Sequence, residues 1–326
     1  MGYILGIDQG GTNTRAAVMG HKGNILSYSR TDGCYFPAAG IDAAMDRVSA
    51  AAGSALLRAG IGIGDIGMVV AGITGIDWEG DESLVTGALK ERFGSKEIVS
   101  RNDSEIAYYS GAVKPVGAVI CAGSGTNAAF FAPGGKKFIL GDYVKSSLQG
   151  GSAIAKRAIE AVFESDLGVL PETGLTEAFL DFSNTENVCG LLQRYVTEEG
   201  FSQRIKSLAP RIIAIADGGD AVTRGVLRAF ADELCACFLA GLKKMGMAGT
   251  RCDVVLAGSV LKGRTNGLTA MIAGNLSRSA PNAVIVNARF EPVVGACILG
   301  MLIRADFDER TAQTVAESAN GLGLLF

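Results

Sequence analysis

The chain has 326 residues, of which 48% are hydrophobic and 19% charged, and its formal net charge at pH 7 is −3. This composition is typical of a globular protein with room for two domains, and it excludes a disordered or collagen-like chain. No cluster of Lys or Arg stands out, so no nucleic-acid or anionic-membrane partner is indicated. The first residues lack a basic, apolar leader, and no apolar stretch is long enough to span a bilayer. We therefore predict a cytoplasmic protein.

The first predicted element is a β-hairpin at residues 3–18, in which two apolar runs flank the turn Gly10-Gly11-Thr12-Asn13. Glycines in such a turn leave backbone N–H groups open to phosphate oxygens, because no Cβ blocks their approach. The turn is neither a P-loop nor the glycine fingerprint of dinucleotide-binding folds. Asp8 ends the first run, where a carboxylate can hold Mg²⁺ beside phosphates; the alternative is an Asp that caps the turn.

Alternating helices and strands follow the hairpin. At the start of one predicted helix, Asn102 and Glu105 fit a capping box, which leaves the Asp103 side chain free at the end of a strand. Such a carboxylate can accept the proton of an attacking hydroxyl; the alternative is that Asp103 is itself the N-cap. The elements predicted in this region are a helix over 41–59, a strand over 68–70 that ends at Ala71-Gly72, a helix over 84–93, a strand over 97–100 and a helix over 104–110.

A second hairpin is predicted at residues 118–131 and repeats the plan of the first. Its turn reads Gly123-Ser124-Gly125-Thr126-Asn127, and the last three residues align without a gap with Gly11-Thr12-Asn13. Two similar units in one chain indicate a duplicated architecture. Either turn alone is a weak signal, but the two together predict that one polyphosphate is held from both sides.

The rest of the chain continues the alternation and predicts an α/β fold. Gly258-Ser259 follows a strand in a small-residue turn that suits a flat ring, although an ordinary strand-to-helix turn is the alternative. The single histidine, His21, excludes a His-based triad or zinc site. A boundary near Lys114-Pro115 gives a first domain at 1–115 and a second at 116–305, with the tail at 306–326 returning to the first. Helices are predicted over 152–163, 221–242, 292–303 and 309–318, and strands over 253–257 and 283–286.

In this order the motifs resemble those of the actin-like superfamily of ATPases and sugar kinases, and within it the BadF/BadG-type group. The segments 6–14 and 121–127 look like its two phosphate motifs, and Asn102-Asp103 holds the place of its catalytic Asp. Residues 256–260 resemble its adenosine motif and residues 291–296 its closing helix signature. The resemblance implies a duplicated actin-like ATPase (ribonuclease H-like) fold, with two domains flanking a nucleotide cleft.

The resemblance also implies an ATP-dependent kinase that phosphorylates a small sugar, such as the amino sugars N-acetylglucosamine or glucosamine. Asp103 would be the general base and Asp8 would hold Mg²⁺, and by analogy we expect a homodimer. The residues expected to bind ATP are Asp8, Gly10, Gly11, Thr12, Asn13, Gly123, Ser124, Gly125, Thr126, Asn127, Gly258 and Ser259. Those expected to bind the sugar are Gly72, Asn102, Asp103, Asp142 and Gln149.

The chain departs from the family on the acceptor side. Gln149 stands where the amino-sugar kinases carry a sugar-binding Asp, and Asp142 could supply that carboxylate instead. The loop at 32–38 lacks the Asn that the family uses on the sugar. A Gln can bind hydroxyls, but it lacks the charge-assisted strength of a carboxylate. The sequence therefore predicts kinase chemistry and leaves the identity of the sugar open.

Two other functions fit the same resemblance. One is an activator ATPase of the BadF/BadG group, which couples ATP hydrolysis to a partner enzyme through an iron–sulfur cluster between subunits. Cys121 and Cys297 fall inside predicted core elements, which disfavours that function. The other is a sugar or nucleotide sensor without catalysis, which the presence of Asp103 disfavours.

Overall fold

The computed structural model of the chain describes residues 2–94, 96–262 and 267–326. No helix in these ranges is long and apolar enough to cross a membrane. The first third of the chain contains β1 (Tyr3–Gln9), β2 (Asn13–Met19), β3 (Ile25–Asp32), α1 (Phe36–Ala39), α2 (Ile41–Ala59), β4 (Ile66–Ile73), α3 (Asp81–Phe93), β5 (Glu97–Asn102) and α4 (Asp103–Tyr109).

The remainder repeats the alternation with more helices. Single 3₁₀ turns at 63–65, 133–135, 141–143, 146–148 and 205–208 connect some of the elements. The elements are β6 (Gly117–Ala122), β7 (Thr126–Phe131), β8 (Lys137–Ile139), α5 (Gly150–Asp166), α6 (Leu175–Ser183), α7 (Val188–Thr197), α8 (Phe201–Arg204), α9 (Ala209–Asp217), α10 (Ala221–Lys244), β9 (Cys252–Ala257), α11 (Gly267–Ser279), β10 (Ala283–Asn287), α12 (Pro292–Ile303) and α13 (Glu309–Gly321).

The strands form two five-stranded mixed sheets with the same topology. The first sheet has the order β3-β2-β1-β4-β5 and the second the order β8-β7-β6-β9-β10. In each sheet the first three strands in sequence pair antiparallel, and the last two join parallel. The two predicted hairpins and the α/β fold are confirmed. The shared strand order also agrees with the predicted duplication.

The predicted helices at 41–59 and 292–303 have the observed bounds, the helix predicted at 104–110 is shifted by one residue to Asp103–Tyr109, and the other predicted elements are mostly longer in the structure. The strand predicted at 68–70, for example, spans Ile66–Ile73. The sequence analysis made no prediction for β3, β8, α1, α6 to α9 and α11.

Helix α4 lies between the two sheets. Its Ile106 packs with the apolar residues beneath the first sheet, and its Tyr108 packs with those of the second. The Tyr108 hydroxyl donates to the carbonyl of Lys114 at 2.9 Å, at the start of the second half. Because α4 contacts both sheets, its first residue, Asp103, lies where the two halves of the chain meet.

Helix α12 packs on the first sheet and on α4. Val293 and Cys297 belong to the same apolar cluster as Ile4 and Val70, and α13 joins this cluster through Val315. The predicted division assigned α12 to the second domain, whereas its contacts are with the first sheet and α4. We therefore propose that residues 292–326 belong with the first domain.

Candidate active site

A cavity of about 760 Å³ lies between the ends of the two sheets. Each sheet contributes the turn of its hairpin, and α4 and α12 contribute their first residues. Of the residues predicted to bind ATP or the acceptor, those that line the cavity are Asp8, Gly10, Gly11, Thr12, Asn13, Asp103, Gly123, Ser124, Gly125, Thr126, Asn127, Asp142, Gln149, Gly258 and Ser259.

The two hairpin turns meet across this cavity. The hydroxyls of Thr12 and Ser124 are 3.1 Å apart. The backbone amides of Gly11, Thr12, Ser124 and Gly125 donate to no group of the residues that the structure describes. Behind the first turn the chain packs so closely that a Cβ on Gly33 would lie 2.3 Å from the Gly10 carbonyl oxygen. The turns therefore present open N–H donors from two sides, which suits the oxygens of a polyphosphate.

Asp8 is buried beside a cation that the sequence analysis did not identify. Its Oδ2 accepts a hydrogen bond from Arg15 Nη1 at 2.9 Å, and the other side of Arg15 lies 3.9 Å from Glu291. Burial raises the pKa of Asp8, and the Arg15 guanidinium opposes that rise. Asp8 and Arg15 are direct partners in the β1–β2 pair. Counting residues outward from the turn along both strands of the hairpin would have paired Asp8 with Arg15 in the sequence.

Mg²⁺ is implied by the family resemblance, and Asp8 fits it as a single carboxylate ligand that acts together with substrate phosphates and water. Within the described ranges, no three His, Cys, Asp or Glu side chains cluster closely enough to hold a metal by themselves. Mg²⁺ is commonly held by one or two carboxylates together with substrate phosphates and water. Asp8, beside the open amides of the turns, offers that arrangement.

Asp103 occupies the first position of α4, as the capping box predicted. The side-chain oxygen Oδ1 of Asn102 accepts from the backbone amide of Ser104 at 2.9 Å. The backbone amide of Asn102 donates to Glu105 Oε1 at 3.3 Å. The Asp103 carboxyl therefore points into the cavity and is not the cap. Burial, followed by the negative charges of Asp8 and Asp77, raises the pKa of Asp103 to about 7, although hydrogen bonds from Ser104 and Thr74 oppose the rise.

Gly72 and Asn102 were predicted to bind the sugar, but neither lines the cavity. Gly72 lies within β4, and a Cβ there would lie 2.3 Å from Ile106 Cδ1, so the glycine makes room for α4. Asn102 is buried, and its Nδ2 donates to the Ile76 carbonyl and to Asp77 Oδ1. Its Oδ1 accepts from the Ser104 amide, so both ends of the Asn102 side-chain amide are bonded within the protein.

Gln149 reaches the cavity but is engaged with the protein at both ends of its amide. Its Oε1 accepts from the Thr126 amide at 3.0 Å, and its Nε2 donates to the Val144 carbonyl at 3.2 Å. It thus connects the turn of the second hairpin to the loop at 141–148. Asp142, on that loop, is exposed and lines the cavity.

The Gly258-Ser259 turn lines one end of the cavity beside the second hairpin turn, where a Cβ on Gly123 would lie 3.5 Å from Ser259 Oγ. Gly258 has φ +97°, and a Cβ on it would lie 2.4 Å from the Ala122 carbonyl oxygen, so the position requires glycine. Lys262 and Phe326 line the same end, with the Lys262 ammonium 5.6 Å from the ring centre. Neither residue was identified from the sequence, because the tail reaches this end only through tertiary packing.

Two sheets of one topology, with a glycine turn from each facing a shared cavity, define an α/β protein with a cleft between two halves of similar architecture. The chain belongs to the BadF/BadG/BcrA/BcrD ATPase family, which it matches over residues 5–300. Membership of this family implies that the chain uses ATP.

Named relatives and solved structures match the chain along nearly its whole length. It is 26% identical to an N-acetyl-D-glucosamine kinase of Dictyostelium discoideum, over 91% of this chain and 97% of the relative. It is 23% identical to an N-acetylmuramic acid/N-acetylglucosamine kinase of Clostridium acetobutylicum, over 92% and 98%. It shares its fold with a candidate N-acetylglucosamine kinase of Chromobacterium violaceum, with a TM-score of 0.70 and 18% identity over 92% of this chain and 99% of that one. A glucokinase of Streptomyces griseus in complex with glucose and AMPPNP gives a TM-score of 0.60 and 19% identity over 91% and 99%.

Proposed function

We propose that the chain is an ATP-dependent kinase that transfers a phosphoryl group to a hydroxyl of a small sugar. The observation that carries this proposal is the placement of Asp103. Its carboxyl lies in the same cavity as two glycine turns with open amides. Two curated relatives, 26% and 23% identical to this chain, are both named as kinases of N-acetylated amino sugars. An amino sugar is therefore the acceptor that we propose.

Asp103 is suited to act as the general base. A base is most effective when its pKa lies near the working pH, and the pKa of Asp103 is raised to about 7. Above that pH the carboxylate accepts the proton of the acceptor hydroxyl as the oxygen attacks phosphorus, as the catalytic-loop Asp of protein kinases does. Thr74 also lines the cavity, and its side chain favours the ionised form of the Asp103 carboxyl. The proton thus remains on a side chain held at the cavity wall.

The phosphate end of the cavity is built to hold negative charge. Open amides of Gly11 and Thr12 on one side, and of Ser124 and Gly125 on the other, can donate to the phosphate oxygens of ATP. Arg15 adds a cation beside them. Mg²⁺, when bound, would neutralise charge on the phosphate oxygens, and Asp8 is the residue that would hold it through water. Gly258-Ser259 would lie against the nucleoside.

The contacts between the two halves of the chain favour a cleft that excludes water during transfer. Lys137, on β8, donates to Glu82 of α3 at 2.9 Å and to Glu105 of α4 at 3.0 Å. Together with the Thr12–Ser124 contact, these bonds connect the second half of the chain to the first at two separate places. Excluding water limits the hydrolysis of ATP without an acceptor.

The test is ADP release from Mg·ATP against a panel of sugars, with the phosphorylated product identified by mass spectrometry. The panel contains N-acetylglucosamine, glucosamine, N-acetylmuramic acid, N-acetylmannosamine and glucose. Asp103→Asn should lower kcat with the best acceptor by at least 100-fold, because it removes the base. Asp42→Asn is the matched control, since the Asp42 side chain is 94% exposed and does not line the cavity.

Two results would overturn the proposal. One is ADP release that no sugar stimulates and that Asp103→Asn does not alter, which would point to an activator ATPase. The other is tight binding of ATP without turnover, which would point to a sensor.

A further inference from the structure

The acceptor end of the cavity contains a carboxylate that the sequence did not single out. Asp77 follows β4, is partly buried and lines the cavity. It lies close enough to Asp103 for its negative charge to contribute to the raised pKa of that residue. A Cβ on Gly141, in the loop that carries Asp142, would lie 3.5 Å from Asp77 Oδ1. Asp77 therefore stands between the general base and the loop that faces it from the second half of the chain.

Asp77 is held in a fixed position on one side. Its Oδ1 accepts from Asn102 Nδ2 at 2.9 Å, and its backbone amide donates to Asp81 Oδ2 at 3.0 Å. Asn102 is anchored in turn by the Ile76 carbonyl and the Ser104 amide. Asp77 Oδ2 accepts no hydrogen bond from any group in the described part of the chain. One oxygen positions the carboxylate, and the other remains available to a ligand.

The other candidates for binding the acceptor are less well prepared. Asn102 and Gln149 use both ends of their amides within the protein. Asp142 is exposed, and its side chain makes no hydrogen bond with the described residues that would fix it. Apart from Asp8, which is paired with Arg15, Asp77 is the described carboxylate near Asp103 that is both partly desolvated and pre-oriented.

The charges around Asp77 are negative. The negative charges of Asp142 and Asp81, together with burial, raise the pKa of Asp77. In the described part of the chain, three cations line the cavity and each is paired with another group: Arg15 with Asp8, Arg30 with Asn13, and Lys262 with Glu291. A hydroxyl or an ammonium group would be stabilised beside Asp77, whereas a carboxylate would be repelled.

We propose that Asp77 is the acceptor-binding carboxylate of this kinase, and that it selects neutral or cationic amino sugars over sugar acids. Asp77 Oδ2 accepts a hydrogen bond from a hydroxyl or amino group next to the reacting hydroxyl. N-Acetylmuramic acid carries a lactyl carboxylate and is therefore a poor acceptor. This inference rests on the proposed kinase function, and it assigns to Asp77 the role that the family gives to the residue at the position of Gln149.

The experiment compares Asp77→Asn, Asp142→Asn and the control Asp42→Asn with glucosamine, N-acetylglucosamine and N-acetylmuramic acid. We expect Asp77→Asn to raise KM for the best sugar about 10- to 100-fold, the range for a lost charge-assisted hydrogen bond. KM for ATP should stay within twofold. In the wild type, kcat/KM for N-acetylmuramic acid should be at least 100-fold below that for the better of the other two sugars, and Asp77→Asn should narrow the difference.

The inference is overturned if N-acetylmuramic acid is the preferred acceptor. It is equally overturned if Asp142→Asn raises KM for the sugar tenfold while Asp77→Asn does not. The single tryptophan, Trp78, adjoins Asp77 and is 69% exposed, so we expect its fluorescence to change when a sugar binds beside Asp77, with or without turnover. If no sugar is phosphorylated, the proposed function fails, but this readout still decides the inference. A sugar-dependent change that Asp77→Asn abolishes supports it, and a change that survives the substitution overturns it.

Discussion

The hydroxyl oxygens of Thr12 and Ser124 lie 3.1 Å apart although the two residues are separated by 112 positions in the chain. Each hydroxyl stands in the turn of its own hairpin, and the two hairpins belong to different sheets. The contact fixes the distance between the two sets of open amides. It therefore determines the width of the space that a phosphate chain would occupy.

We expect Thr12→Val and Ser124→Ala each to raise KM for ATP about fivefold, since a neutral hydrogen bond contributes on the order of 1 kcal/mol. KM for the sugar should stay within twofold, because both hydroxyls lie at the phosphate end. Ser83→Ala, an exposed serine on α3, is the control. Initial rates with either substrate varied measure both constants. An increase confined to KM for the sugar would contradict this assignment.

The pH dependence of the reaction should follow Asp103. Below about pH 7 its carboxyl is protonated and cannot act as a base, so kcat/KM for the sugar should fall tenfold per pH unit and level off above pH 7. The ionisable groups that face it are Asp8 (paired with Arg15), Asp77 and the thiol of Cys121, whose own pKa is raised well above its ordinary value.

Asp77→Asn removes one of these negative charges, so the inflection in its profile should move to lower pH. Asp42→Asn should leave the inflection where it is. Initial rates between pH 5.5 and 9 measure both effects. A wild-type rate that does not change between pH 5.5 and 8 would rule out Asp103 as the base.

Local patterns predicted the parts of this site that depend on neighbours in sequence. The two glycine turns follow from apolar runs that flank Gly, Ser, Thr and Asn, and the free Asp103 follows from a capping box that spans four residues. These features need no knowledge of the tertiary structure. The fold was predicted from the order of the motifs along the chain.

What remained unpredicted depends on contacts between distant segments. The position of the Asp77 side chain depends on a hydrogen bond from Asn102, 25 positions away, and on the approach of Gly141 from the second half of the chain. Helix α12 was predicted with its observed bounds, but most of its residues are buried, so its sequence does not indicate which sheet it covers. In helices such as α7 only Leu191 is fully buried. The apolar stripe in their sequence was too narrow to identify them as helices.

Asp103 should also lower the stability of the folded protein at neutral pH. The folded-state pKa is about 7 and the ordinary value is 3.8, so the folded state binds this proton more tightly than the unfolded state does. Both states are protonated below about pH 4, and the cost of ionising the buried carboxyl grows as the pH rises to 7 and is constant above it.

Asp103→Asn removes that cost, so its free energy of unfolding relative to the wild type should increase by about 2 kcal/mol between pH 4.5 and pH 8. A shift of three pKa units would give about 4 kcal/mol, and partial exposure to the cavity reduces it. Urea unfolding at several pH values measures this difference. If the free energy of unfolding of Asp103→Asn relative to the wild type is the same at pH 4.5 and pH 8, burial does not disfavour the ionised carboxylate.

Gln149→Ala should weaken the binding of both substrates, because one amide supports both sides of the site. Loss of the bond to the Val144 carbonyl frees the loop that carries Asp142, and loss of the bond to the Thr126 amide loosens the second phosphate turn. We expect KM for ATP and for the sugar each to rise about three- to tenfold, as for a lost hydrogen bond. An increase in KM for the sugar alone would indicate that Gln149 binds the acceptor directly.

Gly295 allows α12 to cross α4 at close range, and the position should not accept even a methyl group. A Cβ there would lie 2.1 Å from the carbonyl oxygen of Ile106 and 2.8 Å from the Ser110 amide nitrogen. Because these are backbone atoms, relief requires one helix to move. We expect Gly295→Ala to lower the free energy of unfolding by about 3 kcal/mol, the upper part of the range for overpacked interiors.

Gly87→Ala is the matched control for that substitution. Gly87 is exposed within α3, and a Cβ there would meet nothing within 4 Å. Alanine should therefore stabilise the protein by about 0.5–1 kcal/mol through helix propensity. Because α4 begins at Asp103, the displacement caused by Gly295→Ala should also lower kcat, whereas Gly87→Ala should not alter it. A Gly295→Ala protein with wild-type stability and kcat would show that the two helices can separate without affecting the base.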